Sequence, residues 1–156
     1  MSSIIFVCTG NTCRSPMAAA IAASIFKNEG LEISVLSAGV SAADGHPASE
    51  NAALAMQEMG LELAAHKSQP ALPEILEAAA LVLTMTQGHL RYVKSAAPKA
   101  NAFELGAYVG SPADVCDPFG GSLEVYRTCA AQIKELLHAG LEKFTHLANL
   151  PTSTGA

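Results

Sequence analysis

Ile4-Ile5-Phe6-Val7-Cys8-Thr9-Gly10-Asn11-Thr12-Cys13-Arg14-Ser15-Pro16-Met17-Ala18 reads as a strand, a loop and the opening of a helix. Ile4 to Val7 is apolar and β-rich without polar alternation, the pattern of a strand buried on both faces of a parallel sheet. Pro16 suits the first turn of a helix, where its missing N–H costs nothing. The helix is predicted to run through the Ala-rich segment to Asn28 and to stop before Gly30.

Working outward, Ile33 to Ser37 reads as a second strand, with a turn at Ala38-Gly39. Pro47 to Met59 is a predicted helix stopped by Gly60, and Leu72 to Ala79 is another. Leu81-Val82-Leu83, within Ala80 to Met85, is a second buried-strand signal. Thr86 is placed to cap a helix from Gln87 to Ser95, and Ala102 to Leu105 is a short strand candidate. Gly110 to Gly121 is loop-like, and one long helix is predicted from Ser122 to Phe144. Pro151 to Ala156 is polar and expected to fray. Strands alternating with helices predict an α/β fold: a single-domain three-layer sandwich, with a central parallel four-stranded sheet and helices on both faces. In such sheets ligands bind at the carboxyl ends of the strands, beside a reversal in strand order. That puts the loop after Val7 in the functional position.

The chain has 156 residues, enough for one domain, and half of them are hydrophobic. A net charge of −5 argues against nucleic acid as a partner. The spacing of Cys8, Cys13, Cys116 and Cys129 does not match paired zinc-binding Cys-x-x-Cys sites, so no metal is expected. No run approaches the roughly 20 apolar residues that span a membrane, and the opening apolar run is too short for a signal peptide. The expectation is a cytoplasmic protein whose cysteines stay reduced.

Cys8 to Ser15 carries the chemistry. If the loop wraps so that successive N–H groups point inward above a helix N-terminus, it forms a nest for an anion. Gly10 permits a backbone angle that a side chain resists. Arg14 closes the cradle with a two-pronged grip on phosphate oxygens. Thr9, Gly10, Asn11, Thr12, Cys13, Arg14 and Ser15 are therefore the candidate phosphate-binding residues. Cys8 lies at the base, where positive potential favours the nucleophilic thiolate. Ser15 could steady the sulfur and Asn11 could brace the loop. Singly, each feature has a plainer reading: a core cysteine, a solvated arginine, an ordinary Gly-Asn turn. Their coincidence between a buried strand and a helix carries the assignment.

The segment resembles the Cys-x5-Arg-Ser phosphate loop of the low-molecular-weight protein-tyrosine-phosphatase family. Ser37-Ala38-Gly39, His66-Lys67-Ser68, Leu81 to Met85 and Asp117-Pro118-Phe119-Gly120-Gly121 also resemble family segments, in family order. The likeness reaches about residue 146. It divides the chain into a phosphatase domain over 1–146 and a flexible tail over 147–156. It implies a cysteine-dependent protein phosphatase that forms a phosphocysteine and needs no cofactor. Cys8, Arg14 and Asp117 would be catalytic, with Asp117 as general acid and then base. From the residues alone, Asp117 reads more readily as the start of a turn, and Asp114 is close by. The resemblance also implies that Asn11, Ser37 and His66 support the loop together with Ser15. His46, His89, His138 and His146 are expected at the surface, and Cys116 and Cys129 in packing. Cys13 is either small filler or, as the same pair in relatives implies, a redox partner that captures oxidised Cys8.

Thr12 with Asp117-Pro118-Phe119-Gly120-Gly121 resembles the bacterial protein-arginine-phosphatase branch, which makes Thr12 and Phe119 candidate selectivity residues. A polar guanidinium suits a hydroxyl rim better than an apolar slot does. Phosphotyrosine is the alternative. Ala19 stands where many relatives carry a Glu, away from the cradle. A thiol-linked arsenate reductase would need further cysteines in mid-chain, and a phosphocysteine carrier would need neither Arg14 nor Asp117. The expected partner is a phosphorylated protein or peptide, met by a monomer without membrane attachment.

Overall fold

The computed structural model describes residues 1–151. Four parallel strands form one sheet in the order β2-β1-β3-β4, as the α/β reading anticipates: β1 Ser2–Cys8, β2 Ile33–Gly39, β3 Leu81–Thr84 and β4 Ala102–Glu104. β1 pairs with β2 from Ser2↔Ile33 to Cys8↔Gly39, and with β3 from Ile4↔Leu81 to Val7↔Thr84. From β1 the chain first goes to one side and later to the other. The strand order therefore reverses at β1, and the crevice opens above its carboxyl end.

Side-chain alternation along β1 separates two cores. Ile4, Phe6 and Cys8 join the layer of α1 (Arg14–Asn28), α2 (Glu50–Glu58) and α6 (Leu123–Ala139), with Met17, Ile21, Met56 and Ile133. Ile5 and Val7 face α3 (Pro73–Ala78) and α4 (Gln87–Ala96), where Leu76 and Val93 are fully buried. Since β1 is covered on both sides, its apolar run has no polar alternation.

Several boundaries move for local reasons. β2 continues through Ala38 and Gly39, because both pair with the end of β1. The predicted Pro47–Met59 helix starts at Glu50, since Ser49 is extended and its hydroxyl accepts the Ala52 N–H. Thr86 caps α4 by accepting the His89 N–H at 3.2 Å. Leu105 leaves the sheet and opens a short helix, α5 (Leu105–Tyr108), that the sequence reading missed.

The predicted single helix from Ser122 to Phe144 is two: α6 ends at Ala139 and α7 spans Leu141–Ala148. Gly140 sits at the break, where a Cβ would lie 2.6 Å from Val109 Cγ1 and 3.0 Å from the Phe144 ring. Close packing there, and not helix propensity, sets the bend. α7 carries the ordered chain past residue 146. Of the tail expected over 147–156, residues 152–156 lie outside the described residues.

Gly39 marks the tightest approach to the loop. A Cβ there would lie 2.5 Å from the Thr9 carbonyl oxygen and 2.8 Å from the Asn11 nitrogen, both backbone atoms that cannot swing aside. Gly39→Ala is expected to lower unfolding free energy by about 2 kcal/mol or more, roughly 4–8 °C in Tm for a domain of this size. Thermal unfolding by circular dichroism checks it, and an unchanged Tm would show that the loop can shift freely.

Candidate active site

The loop between β1 and α1 is held from several directions. β2 extends its ladder into it, with Val40 N–H donating to Cys8 O and Ser41 N–H to Thr9 O, each at 2.9 Å. Ser49 N–H reaches Thr12 O at 2.9 Å from the start of α2. Asn11 lies at its centre. It is fully buried and left-handed, with φ 56°, a conformation that a short amide side chain tolerates.

The Asn11 side chain uses both of its ends. Nδ2 donates to Ser15 Oγ at 2.8 Å and to Ser37 Oγ at 2.9 Å, while Oδ1 accepts the Gln69 N–H at 2.9 Å. Its carbonyl oxygen accepts from His66 Nε2 at 2.7 Å. Asn11, Ser15, Ser37 and His66 are thus brought together. Gln69 is a further member, and only its nearness in the chain to His66 could have signalled it.

Cys8 Sγ lies 2.9 Å from Ser15 Oγ. Ser15 Oγ accepts from Asn11, and its single hydrogen has two acceptors in reach, the sulfur at 2.9 Å and the Ala38 carbonyl at 3.4 Å. Arg14 is 5 % exposed, and its Nη1 donates to Val115 O at 3.1 Å. Its Nη2 lies 3.5 Å from Thr9 Oγ1 and 3.6 Å from Asp117 Oδ2. The guanidinium therefore spans the gap between the loop and the 110–121 segment. A cavity of about 220 Å³ lies between them. Cys8, Thr9, Gly10 and Cys13 line it with Arg14 and Thr12, and Asp117 and Phe119 line it from across the gap.

Asp117 is more than half exposed, and its Oδ1 accepts the Phe119 N–H at 3.1 Å. Phe119 is the most exposed large apolar side chain among the described residues. The segment bearing them is clamped from α6: Gln132 Oε1 accepts Cys116 N–H at 3.3 Å and its Nε2 donates to Asp114 O at 3.2 Å. Gln87 N–H donates to Asp114 Oδ1 at 3.0 Å, so that carboxylate is engaged at the start of α4.

Gly10 does not take the backbone angle expected of it: the left-handed position falls on Asn11 instead, and a Cβ on Gly10 would meet only Thr12 Oγ1, at 3.7 Å. Two further expectations need correction. His46, His138 and His146 are exposed, but His89 is buried. It sits on the inner face of α4, where Nε2 lies 2.9 Å from Thr9 Oγ1. Burial, and then the Arg14 charge, push its pKa down to about 4, against smaller opposing effects of Asp114 and Asp117. No local pattern in the sequence marks this residue, since its partner is 80 positions away. The second correction is Cys116, which is exposed beside Asp117, because its backbone rather than its side chain is what α6 holds. Cys129 is buried as expected, and burial pushes its thiol up to about 12. Cys13 is buried, with Sγ 3.3 Å from the Tyr126 hydroxyl and 3.4 Å from Ser49 Oγ.

Residues 3–148 match the family described as low molecular weight phosphotyrosine protein phosphatase. Among curated proteins, the protein-arginine-phosphatase of Bacillus subtilis is 46% identical over 137 residues, covering 86% of this chain and 91% of its own. The low molecular weight protein-tyrosine-phosphatase PtpB of Staphylococcus epidermidis is 38% identical over 144 residues, covering 86% and 93%. Among solved structures, a YwlE arginine phosphatase mutant with a phosphorylated active site serine superposes with a TM-score of 0.87. It is 43% identical, and the match covers 93% of this chain and 99% of that one. The chain belongs to the low molecular weight phosphotyrosine protein phosphatase family and is a cysteine-dependent protein phosphatase.

Proposed function

We propose that this protein removes phosphoryl groups from phosphoarginine side chains of proteins, with Cys8 as nucleophile, Arg14 as phosphate clamp and Asp117 as proton donor. The observation that carries the reading is the single cavity with the Cys8 sulfur at its floor, Arg14 beside it and Asp117 across from it. Loop amides and guanidinium together hold a tetrahedral dianion above the sulfur, lined up for in-line displacement.

In the first step the Cys8 thiolate attacks phosphorus, the P–N bond breaks, and Asp117 gives its proton to the departing guanidine nitrogen. Ser15, 2.9 Å from the sulfur, donates to it whenever it is anionic. In the second step Asp117 takes a proton from water, which attacks phosphorus. The S–P bond breaks, and inorganic phosphate and thiolate are released. Asn11, Ser37 and His66 act by holding the loop in place.

Arginine selectivity rests on Thr12 and Phe119. Thr12 offers a hydroxyl at the rim, and the exposed Phe119 ring offers a face on which a planar guanidinium can lie. The likeness to proteins named arginine phosphatases adds support. Thr12→Ile is expected to shift the ratio of kcat/KM for phosphoarginine over phosphotyrosine peptides by about tenfold toward tyrosine. An unchanged ratio would remove Thr12 as selector. Comparing wild-type hydrolysis of the two peptide classes at matched concentrations, with Cys8→Ser as blank, tests the substrate itself. Preference for phosphotyrosine would overturn the proposal.

Cys13 is the proposed redox partner of Cys8. Both thiols are free and buried in one loop, and a disulfide between them would keep a sulfenic acid from further oxidation. Thiols are expected to restore activity after peroxide treatment of the wild type but not of Cys13→Ser; equal recovery would contradict the role. The domain is assigned to residues 1–146, and the protein to the reducing cytoplasm as a monomer. No helix among the described residues is long and apolar enough to cross a membrane.

A further inference from the structure

The geometry points to the Thr9 hydroxyl as an additional hydrogen-bond donor to the bound phosphoryl group, forced into that role by His89. The inference rests on the phosphate-site reading above and extends it. Thr9 Oγ1 has two lone pairs and one hydrogen. Arg14 cannot accept, so its Nη2, at 3.5 Å, occupies one lone pair. The remaining question is which way the proton lies in the 2.9 Å contact with His89 Nε2.

His89 Nδ1 answers it. That atom is buried with no hydrogen-bond partner among the described residues. An N–H stranded there would be an orphaned buried donor, a rare and costly state, whereas a bare lone pair is tolerated more readily. The neutral ring therefore carries its proton on Nε2 and donates it to Thr9 Oγ1. Both Thr9 lone pairs are then filled, and the hydroxyl hydrogen must point elsewhere. Thr9 lines the cavity together with Cys8 and Arg14, so the free hydrogen is available to a phosphoryl oxygen. Thr9 is the group that touches substrate, and His89 is a positioning residue acting through it. Burial and charge support the arrangement: burial first, and then the Arg14 guanidinium, disfavour a cationic His89 against smaller opposing effects of Asp114 and Asp117.

Two measurements test this. In protein with 15N-labelled histidine, the His89 ring, identified by its loss in His89→Gln, is expected to be neutral and Nε2-protonated from pH 5 to pH 8. An Nδ1-protonated ring would overturn the inference. The second uses orthovanadate as inhibitor of p-nitrophenyl phosphate hydrolysis. Thr9→Val keeps the branched shape but loses the hydroxyl, and is expected to weaken vanadate inhibition by about tenfold, the range for a hydrogen bond to a charged group. Thr9→Ser is expected to stay within about twofold of wild type. His89→Leu is expected to weaken inhibition in the Thr9 background, and to add less than about twofold in the Thr9→Val background, because the two act as a unit. His89→Gln, which can still donate, is expected to recover most of the affinity. If Thr9→Val matches wild type, or if the two losses multiply independently, the inference fails while the phosphatase reading stands. If the wild type itself is insensitive to vanadate, the phosphate-site reading fails instead.

Discussion

Cys8→Ser is expected to abolish turnover, with release of inorganic phosphate from a phosphoarginine peptide falling by roughly ten-thousandfold or more, the scale seen when a covalent nucleophile is removed. The expectation comes from the surroundings of the sulfur. Cys8 is 3 % exposed and its Sγ faces Ser15 Oγ at 2.9 Å, with the cavity above it. A hydroxyl there is of similar shape but far less ionised, so binding persists and chemistry stops. The variant is therefore expected to retain its Tm and to bind vanadate while failing to turn over. The related YwlE arginine phosphatase mutant carries a phosphorylated active site serine. Slow capture of a single phosphoryl group by Ser at this position, without release, is a compatible outcome seen by intact-protein mass spectrometry. Retention of even a few per cent of steady-state turnover would show that another group attacks phosphorus.

Asp117→Ala is expected to lower kcat on phosphoarginine peptides by about a hundred- to ten-thousandfold, the usual contribution of a positioned acid–base group. The side chain is exposed and makes little packing, so Tm should stay near that of the wild type. The variant has a second, more diagnostic signature. p-Nitrophenolate leaves without needing a proton, so formation of phosphocysteine is spared while its hydrolysis still lacks a base. Mixing the variant with p-nitrophenyl phosphate should give a burst of about one equivalent of nitrophenolate followed by slow turnover. Asp114→Ala is the control. Its carboxylate is engaged by the Gln87 N–H, and its loss should neither produce a burst nor remove the bulk of activity. If Asp114→Ala behaves as described for Asp117→Ala, the two roles are reversed.

The parts of this site that were readable beforehand lie contiguous in the chain. Cys8 to Ser15 could be assigned because its cysteine, glycine, arginine and serine are contiguous in the chain between a strand and a helix, and β1 because double burial leaves an uninterrupted apolar run. The Asp117 assignment needed a family resemblance, since an Asp-Pro pair also fits an ordinary turn. What escaped notice depends on distant packing. His89 looks like an exposed helical histidine until α4 is laid against β3, which aims it at Thr9. Gln132 reads as a polar position on α6, yet its amide grips both sides of Val115 in the segment that carries Asp117. The break at Gly140 arises from the approach of Val109, 31 positions earlier, and no local propensity encodes that neighbour.

The Asn11 hub has a consequence for how the enzyme comes into being. Its hydrogen-bonding partners at Ser37, His66 and Gln69, and the Val115 carbonyl that steadies Arg14, all emerge from the ribosome after the loop itself. A growing polypeptide exposes its reactive thiol early, but the anion cage around it closes only when the later segments dock. Unfinished chains therefore carry the cysteine without the catalyst, and dephosphorylation begins only once nearly the entire domain has been made.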